Sequence, residues 1–171
     1  DILEQKAKEG VLVRLIYDDV GCIQTLPPKF YLMLQAKGIH CECFNPFRPF
    51  LSVIMNNRDH RKITVIDGQI AYTGGFNLAD EYIGELERFG TWKDTALMVQ
   101  GEAVRNFTLM FLEIWNVDEP QEDYEKYLDA SYCYGMTEGE GYVIPYGDSP
   151  LDHENVGELV YMDILNSAKD Y

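Results

Sequence analysis

Six residues between His60 and Asn77 combine side chains that can bind and attack a phosphate. A histidine offers a nucleophilic ring nitrogen, and a lysine two residues later offers a positive charge for the anion. Paired glycines let a backbone approach a ligand closely, and an asparagine follows them. The stretch therefore predicts phosphoryl chemistry. The six residues are His60, Lys62, Asp67, Gly74, Gly75 and Asn77.

Local structure explains how these residues would be presented. In a strand, residues two apart share a face, so we expect His60 and Lys62 to project together. Asp67 has the opposite parity and precedes a glycine in a two-residue hairpin signal, so we expect it to stabilise the hairpin. Asn77 stands where a helix would begin, and we expect it to cap that helix, with Asp80 completing a capping box. The helix start would then present amide hydrogens to an anion.

The surrounding elements alternate between strand and helix, which indicates an α/β fold with a mixed β-sheet flanked by helices. The last predicted helix carries apolar residues at helical spacing, so one of its faces should pack on the sheet. We interpret residues 118–140, acidic and tyrosine-rich, as a surface excursion. In order, the elements are strand Val11–Asp19, helix Pro27–Gly38, strand Ile39–Phe44, a hairpin around Asp67, strand Thr95–Gly101 and helix Glu102–Asn116.

Composition excludes several classes of protein. A net charge of -15 over 171 residues argues against a nucleic-acid partner, which needs a basic face. The four cysteines lack the spacing of a zinc or redox site, and we interpret Cys41 and Cys43 as small hydrophobic residues on one strand face. No metal-ligand cluster is visible. The longest apolar runs are much shorter than the ~20 residues of a membrane span.

Two similar segments suggest an internal repeat. The chain opens with "DILEQKAKEG" and closes with "DILNSAKDY", and both resemble the end of a helix. We expect residues 1–140 to form a first domain and residues 141–171 to be the truncated start of a second copy. Chance similarity is the alternative for so short a match.

The spacing H-x-K-x4-D-x6-G-G-x-N resembles the HKD signature of the phospholipase D superfamily, with Gly75 in place of its serine. The flanks, including "WKDT", are similar to the bacterial cardiolipin synthase family over most of Val11 to Asn116. This resemblance implies a phosphatidyltransferase whose catalytic signature residues are His60, Lys62 and Asp67. It implies that His60 attacks the phosphorus of phosphatidylglycerol, releasing glycerol and leaving a phosphohistidine.

The resemblance also implies roles for the remaining residues. Phosphate binding falls to Lys62 and Asn77, next to Gly74 and Gly75, and Asp94 is the carboxylate expected to orient the imidazole of His60. No metal or cofactor is required by this chemistry. Two further arginines flank the histidine, and they either attract lipid phosphate or are exposed strand charges. They are Arg58 and Arg61.

Family members carry two HKD halves, so the resemblance implies that a second histidine comes from another half or from a homodimer. His153 lacks a lysine two residues later and does not fit that role. The parent protein is expected at the cytoplasmic side of the cell membrane, while this fragment should be soluble and inactive alone. Alternatives are another superfamily phosphodiesterase, such as a nuclease or phospholipase, and a non-catalytic interaction domain.

Overall fold

The computed structural model describes residues 1–47, 57–88, 90–118, 123–128, 141–148 and 155–170. Within these ranges, contacts divide the chain into two compact units. Unit 1 comprises Asp1–Arg61 with Ile114–Pro120, and unit 2 comprises Lys62–Glu113 with Gln121–Tyr171. The helices are α1 (Ile2–Lys8), α2 (Asp19–Cys22), α3 (Phe30–Gln35), α4 (Val104–Asp118), α5 (Glu125–Leu128) and α6 (Val156–Ser167), with a 3₁₀ helix at Asp80–Ile83. The strands are β1 (Arg14–Asp18), β2 (His40–Phe44), β3 (Ile63–Ile66), β4 (Ile70–Gly74) and β5 (Ala96–Gln100).

Unit 1 is built on the parallel pair β1 and β2. Their register runs from Arg14 opposite His40 to Asp18 opposite Phe44, so both strands end at the same edge. The helix α3 makes the crossover connection that a parallel pair needs. Cys41 is completely buried on β2, which makes it part of the packed interior of this unit.

Unit 2 is built on the antiparallel sheet β3-β4-β5. Its core is formed by Ala71 from β4 with Val104 and Phe107 from the first turns of α4. The hairpin between β3 and β4 turns at Asp67 and Gly68, whose φ angles of 52° and 64° are both left-handed. Glycine and aspartate adopt such angles more readily than most residues.

The structure confirms the predicted α/β class, with hydrogen bonding dividing the strands into one parallel and one antiparallel sheet. The helix predicted at Pro27–Gly38 is shorter, covering Phe30–Gln35. Gly38, with a φ of 83°, still reverses the chain, and its amide bonds to the Gln35 carbonyl. The predicted two-residue hairpin loop is wrong: the loop has three residues, 67–69, because the ladder closes at Ile66 opposite Ile70.

The two similar segments at the ends of the chain are both helical. The first lies in α1, and in the second Asp163 to Ser167 lie at the end of α6. The predicted excursion at 118–140 lies largely outside the described residues, as do Cys133 and His153. Across the ranges that are described, no helix is both long and apolar enough to cross a membrane.

The cysteines of β2 provide a test of unit 1. Burial is the main cause that raises the pKa of Cys41 to about 12 and that of Cys43 to about 11. Because a thiolate is the reactive form, we expect both to resist iodoacetamide near neutral pH in the folded protein. Half-buried Cys22 is the internal comparison. Peptide mass spectrometry should show protection lost in denaturant; equal labelling of Cys41 in the native and unfolded protein would contradict this packing.

Candidate active-site residues

His60 and Lys62 lie in an irregular segment that precedes β3. The prediction that both belong to a strand is wrong, because the ladder begins at Ile63. Alternation therefore does not determine where the two side chains point. Polar contacts from Asp18 and Asn45 hold the preceding residues instead of a strand partner. The His60 side chain is exposed, and Lys62 is half-buried.

Asn77 lies between β4 and the 3₁₀ helix, with its side chain exposed. The predicted cap is wrong. Ala79 occupies the N-cap position without a side-chain bond, and the helix is a single turn that ends at Gly84. The Asn77 side-chain amide instead donates to the Tyr82 hydroxyl at 2.7 Å. A tyrosine in the 3₁₀ helix therefore holds the amide that the resemblance assigns to phosphate.

The paired glycines pack against the chain around the start of β5. An added Cβ at Gly74 would overlap the Thr95 carbonyl oxygen and lie 2.9 Å from the Ala96 Cα, both of them backbone atoms. At Gly75 it would lie 2.5 Å from Oδ1 of Asp94. The glycines were predicted to let the backbone approach a ligand closely; in the structure they approach residues 94–96. Gly75, which stands where the superfamily signature has serine, leaves room for a carboxylate.

Asp94 is held over Gly75 by two donors. Its Oδ1 accepts from the Thr95 amide at 2.7 Å, and its Oδ2 is 3.5 Å from the Trp92 indole nitrogen. The Trp92 ring meets Tyr82 edge to face, with centroids 5.3 Å apart. Asp94 is exposed, and its predicted bond to the His60 imidazole stays a prediction.

A continuous set of contacts thus connects the Asn77 amide to the Asp94 carboxylate through two aromatic side chains. Sequence reasoning missed both Tyr82 and Trp92 as partners of the candidate residues. The only signal was the position of Trp92, two residues before the carboxylate in "WKDT". Tyr82 gave none, because its role depends on a 3₁₀ turn rather than the predicted helix.

Asp67 lies at the hairpin turn, exposed, with its left-handed φ. Aspartate adopts this conformation more readily than most residues, which agrees with a role in the turn; its part in chemistry stays a prediction. As for metal binding, the described ranges contain no group of three or more His, Cys, Asp or Glu side chains placed to hold an ion.

Comparison with known proteins agrees with the signature. A family model described as the cardiolipin synthase, PLD-like domain matches residues 1–115. This chain belongs to that family. A cardiolipin synthase of Alkalihalophilus pseudofirmus is 40% identical over an alignment of 171 positions that covers 99% of this chain and 33% of that protein. A cardiolipin synthase of Staphylococcus aureus is 40% identical over 169 residues, 98% of this chain and 34% of that protein.

A Streptococcus mutans relative, named only as an uncharacterized protein, is 52% identical over 170 residues, covering 99% of this chain and 36% of its own length. The chain therefore spans about a third of the length of these relatives. The family match confirms the predicted resemblance. It also reaches further toward the start of the chain than the motifs from which the resemblance was inferred.

The glycine pair yields a matched test. We expect Gly75→Ala to displace the Asp94 carboxylate, a flexible group, and so to shift the Trp92 indole N–H signal in a ¹H–¹⁵N spectrum with little loss of stability. Gly74→Ala meets backbone atoms and should destabilise the fold by about 1–3 kcal/mol in denaturant unfolding. The buried Trp115 indole serves as the reference signal. An unchanged Trp92 signal in Gly75→Ala would show that Asp94 does not occupy this position.

Proposed function

We propose that this chain is the N-terminal catalytic half of a cardiolipin synthase, which transfers a phosphatidyl group between two phosphatidylglycerol molecules. The observation that carries the proposal is a complete His-x-Lys signature in a member of this family, with the His60 side chain open to solvent. Relatives named cardiolipin synthase, about 40% identical over nearly the whole chain, support the same reaction.

In the first step, a ring nitrogen of His60 attacks the phosphorus of phosphatidylglycerol. A P–N bond forms as the P–O bond to glycerol breaks, which leaves a phosphatidyl group on the histidine. The departing glycerol oxygen takes a proton from a second histidine in the other half of the protein. The first product is therefore free glycerol.

In the second step, that second histidine, now neutral, accepts the proton of a hydroxyl group on another phosphatidylglycerol. The hydroxyl oxygen attacks phosphorus, and the P–N bond breaks. This releases cardiolipin and restores His60. One glycerol is formed for each cardiolipin, and both histidines return to their starting protonation states.

Charge stabilisation falls to side chains of unit 2. The Lys62 ammonium and the Asn77 amide are proposed to hold the phosphate oxygens as negative charge develops on the phosphorane. In a chain of net charge -15, such local donors are needed to attract an anionic headgroup. The Asp94 carboxylate is proposed to hold the His60 ring by accepting from its other nitrogen, which fixes the tautomer.

The proposal extends to domain organisation and location. We assign residues 1–140 to a first phospholipase D-like domain and residues 141–171 to the start of a second. The helical ends of α1 and α6, with similar sequences, support this division. The relatives are about three times as long as this chain, which leaves room in them for a second half. Action on phosphatidylglycerol places the whole protein at a membrane surface.

The full-length protein with labelled phosphatidylglycerol vesicles tests this function. We expect cardiolipin and glycerol in equal amounts, and His60→Ala should lower the rate by about a thousandfold or more because the nucleophile is lost. Its matched control is His40→Ala, since His40 is an exposed histidine of unit 1 at the start of β2. Thermal unfolding checks that both variants fold.

Three outcomes would contradict the proposal. Cardiolipin formation that survives His60→Ala would exclude this histidine as the nucleophile. Water replacing the second lipid as acceptor, with phosphatidic acid as the product, would indicate a phospholipase. Nicking of plasmid DNA without lipid turnover would indicate a nuclease.

A further inference from the structure

The residues just before His60 are held by side chains from the ends of two strands. The segment has no strand ladder, so other contacts must define its path. Each of three successive residues is bonded to Asp18 or Asn45: one through its carbonyl, one through its side chain and one through its amide. They are Asn57, Arg58 and Asp59.

Asp18, the last residue of β1, supplies the first holding group. Its Oδ2 accepts from the Asp59 amide at 3.2 Å, and its Oδ1 is 3.5 Å from Nη1 of Arg58. The same Oδ1 accepts from the Gly21 amide at 2.9 Å, where Asp18 is the N-cap of α2. The cap contact with Gly21 therefore fixes the Asp18 carboxylate at the end of β1, where it also binds residues 58 and 59.

Asn45, directly after β2, supplies the second group that holds the segment. Its carbonyl accepts from Nη1 of Arg58 at 2.8 Å, and its side-chain amide donates to the Asn57 carbonyl at 2.8 Å. The backbone of Asn45 is left-handed, with a φ of 44°, which asparagine tolerates better than most residues. This turn brings both its carbonyl and its amide to the segment.

The charged pair in this arrangement is shielded from water. The Arg58 side chain is 21% exposed and that of Asp18 is 10% exposed. A partly desolvated, charge-assisted contact is stronger and more directional than one at the surface. The alternative of an exposed strand charge is wrong for Arg58, which lies outside a strand and is mostly buried, while attraction of lipid phosphate stays a prediction.

Hydrogen bonds between Asp59 and Arg61 connect the residues on the two sides of the histidine. The Asp59 carboxylate accepts from the Arg61 amide at 3.0 Å and from its guanidinium Nε and Nη2 at 2.9 and 3.1 Å. The backbone is thus fixed before and after His60, while the imidazole stays exposed.

We propose that Asp18, Asn45 and Arg58 are positioning residues for His60, acting through the backbone of residues 57–59. This inference rests on the proposed function, in which His60 is the nucleophile. The backbone before His60 has no strand ladder, and the contacts of Asp18 and Asn45 with residues 57–59 restrict its path before substrate binds. Attack on phosphorus depends steeply on such restriction, since a misplacement of about 1 Å costs about a hundredfold in rate.

The test is a rapid-quench experiment on the full-length protein with excess labelled phosphatidylglycerol. The amplitude of the covalent histidine adduct counts competent molecules, and its rate constant reports the geometry of attack. We expect Asp18→Asn and Arg58→Met each to slow adduct formation about 10- to 100-fold while retaining the amplitude. Asn45→Gly, which tolerates the left-handed backbone but lacks the side-chain amide, should have a smaller effect in the same direction.

Two controls separate positioning from loss of structure. Asp19→Asn is the matched variant, because Asp19 is the next residue after Asp18 and its carboxylate accepts from the Phe47 amide at 2.7 Å. We expect this variant to leave the rate constant of adduct formation unchanged. In the double variant Asp18→Asn/Arg58→Met we expect slowing by less than the product of the two single effects, because the contact between Asp18 and Arg58 is lost in both single variants.

Other results would overturn the positioning role, and the wild-type protein distinguishes that failure from a failure of the proposed function. A reduced amplitude with an unchanged rate constant in the Asp18 and Arg58 variants would show a purely structural role. Multiplied effects in the double variant would show that the two residues act separately. If the wild-type protein forms an adduct that His60→Ala abolishes, the proposed function stands whatever these variants do. If it forms none, the proposed function fails and the positioning role fails with it.

Discussion

The parallel pairing of β1 and β2 is the constraint on which the placement of His60 depends. Parallel strands in register end together, so Asp18 and Asn45 emerge at one edge of unit 1. From that edge they bind three consecutive residues before the histidine: the Asn57 carbonyl, the Arg58 guanidinium and the Asp59 amide. Hydrogen bonds to charged groups are each worth about 1.5–3 kcal/mol when partly buried. A segment without a strand partner thereby acquires a defined path.

In unit 2, close packing depends on two residues without side chains, Gly74 and Gly75. Two glycines at the end of β4 let the backbone of Thr95 approach closely, and the second also makes room for the Asp94 carboxylate. A serine at position 75 would place its Cβ where that carboxylate lies. In this chain the glycine leaves the space that the Asp94 carboxylate occupies. Tyr82 and Trp92 complete the arrangement by connecting Asn77 with Asp94.

Sequence reasoning succeeded where local chemistry governs structure. Asp67 and Gly68 were expected to form a turn, and both lie in the hairpin loop with left-handed φ angles, although the loop is one residue longer than expected. The apolar spacing in the last predicted helix correctly placed Val104 and Phe107 against the antiparallel sheet. It failed at Asn77 and for the strand expected at His60. After Asn77, a short 3₁₀ turn replaces the expected helix. Before His60, contacts from Asp18 and Asn45 hold the chain where a strand was expected.

The sequence by itself determined the chemistry available and the family, because residue types at fixed spacing carry that information directly. It also determined the hairpin and the amphipathic helix, whose signals lie within a few residues. Only the tertiary structure decided what holds the residues before the histidine, since Asp18 is about forty positions away in the chain and reaches them from the end of a paired strand. The same holds for Asp94 above Gly75: a contact between distant residues depends on the register of β4 with β5, which no local pattern encodes.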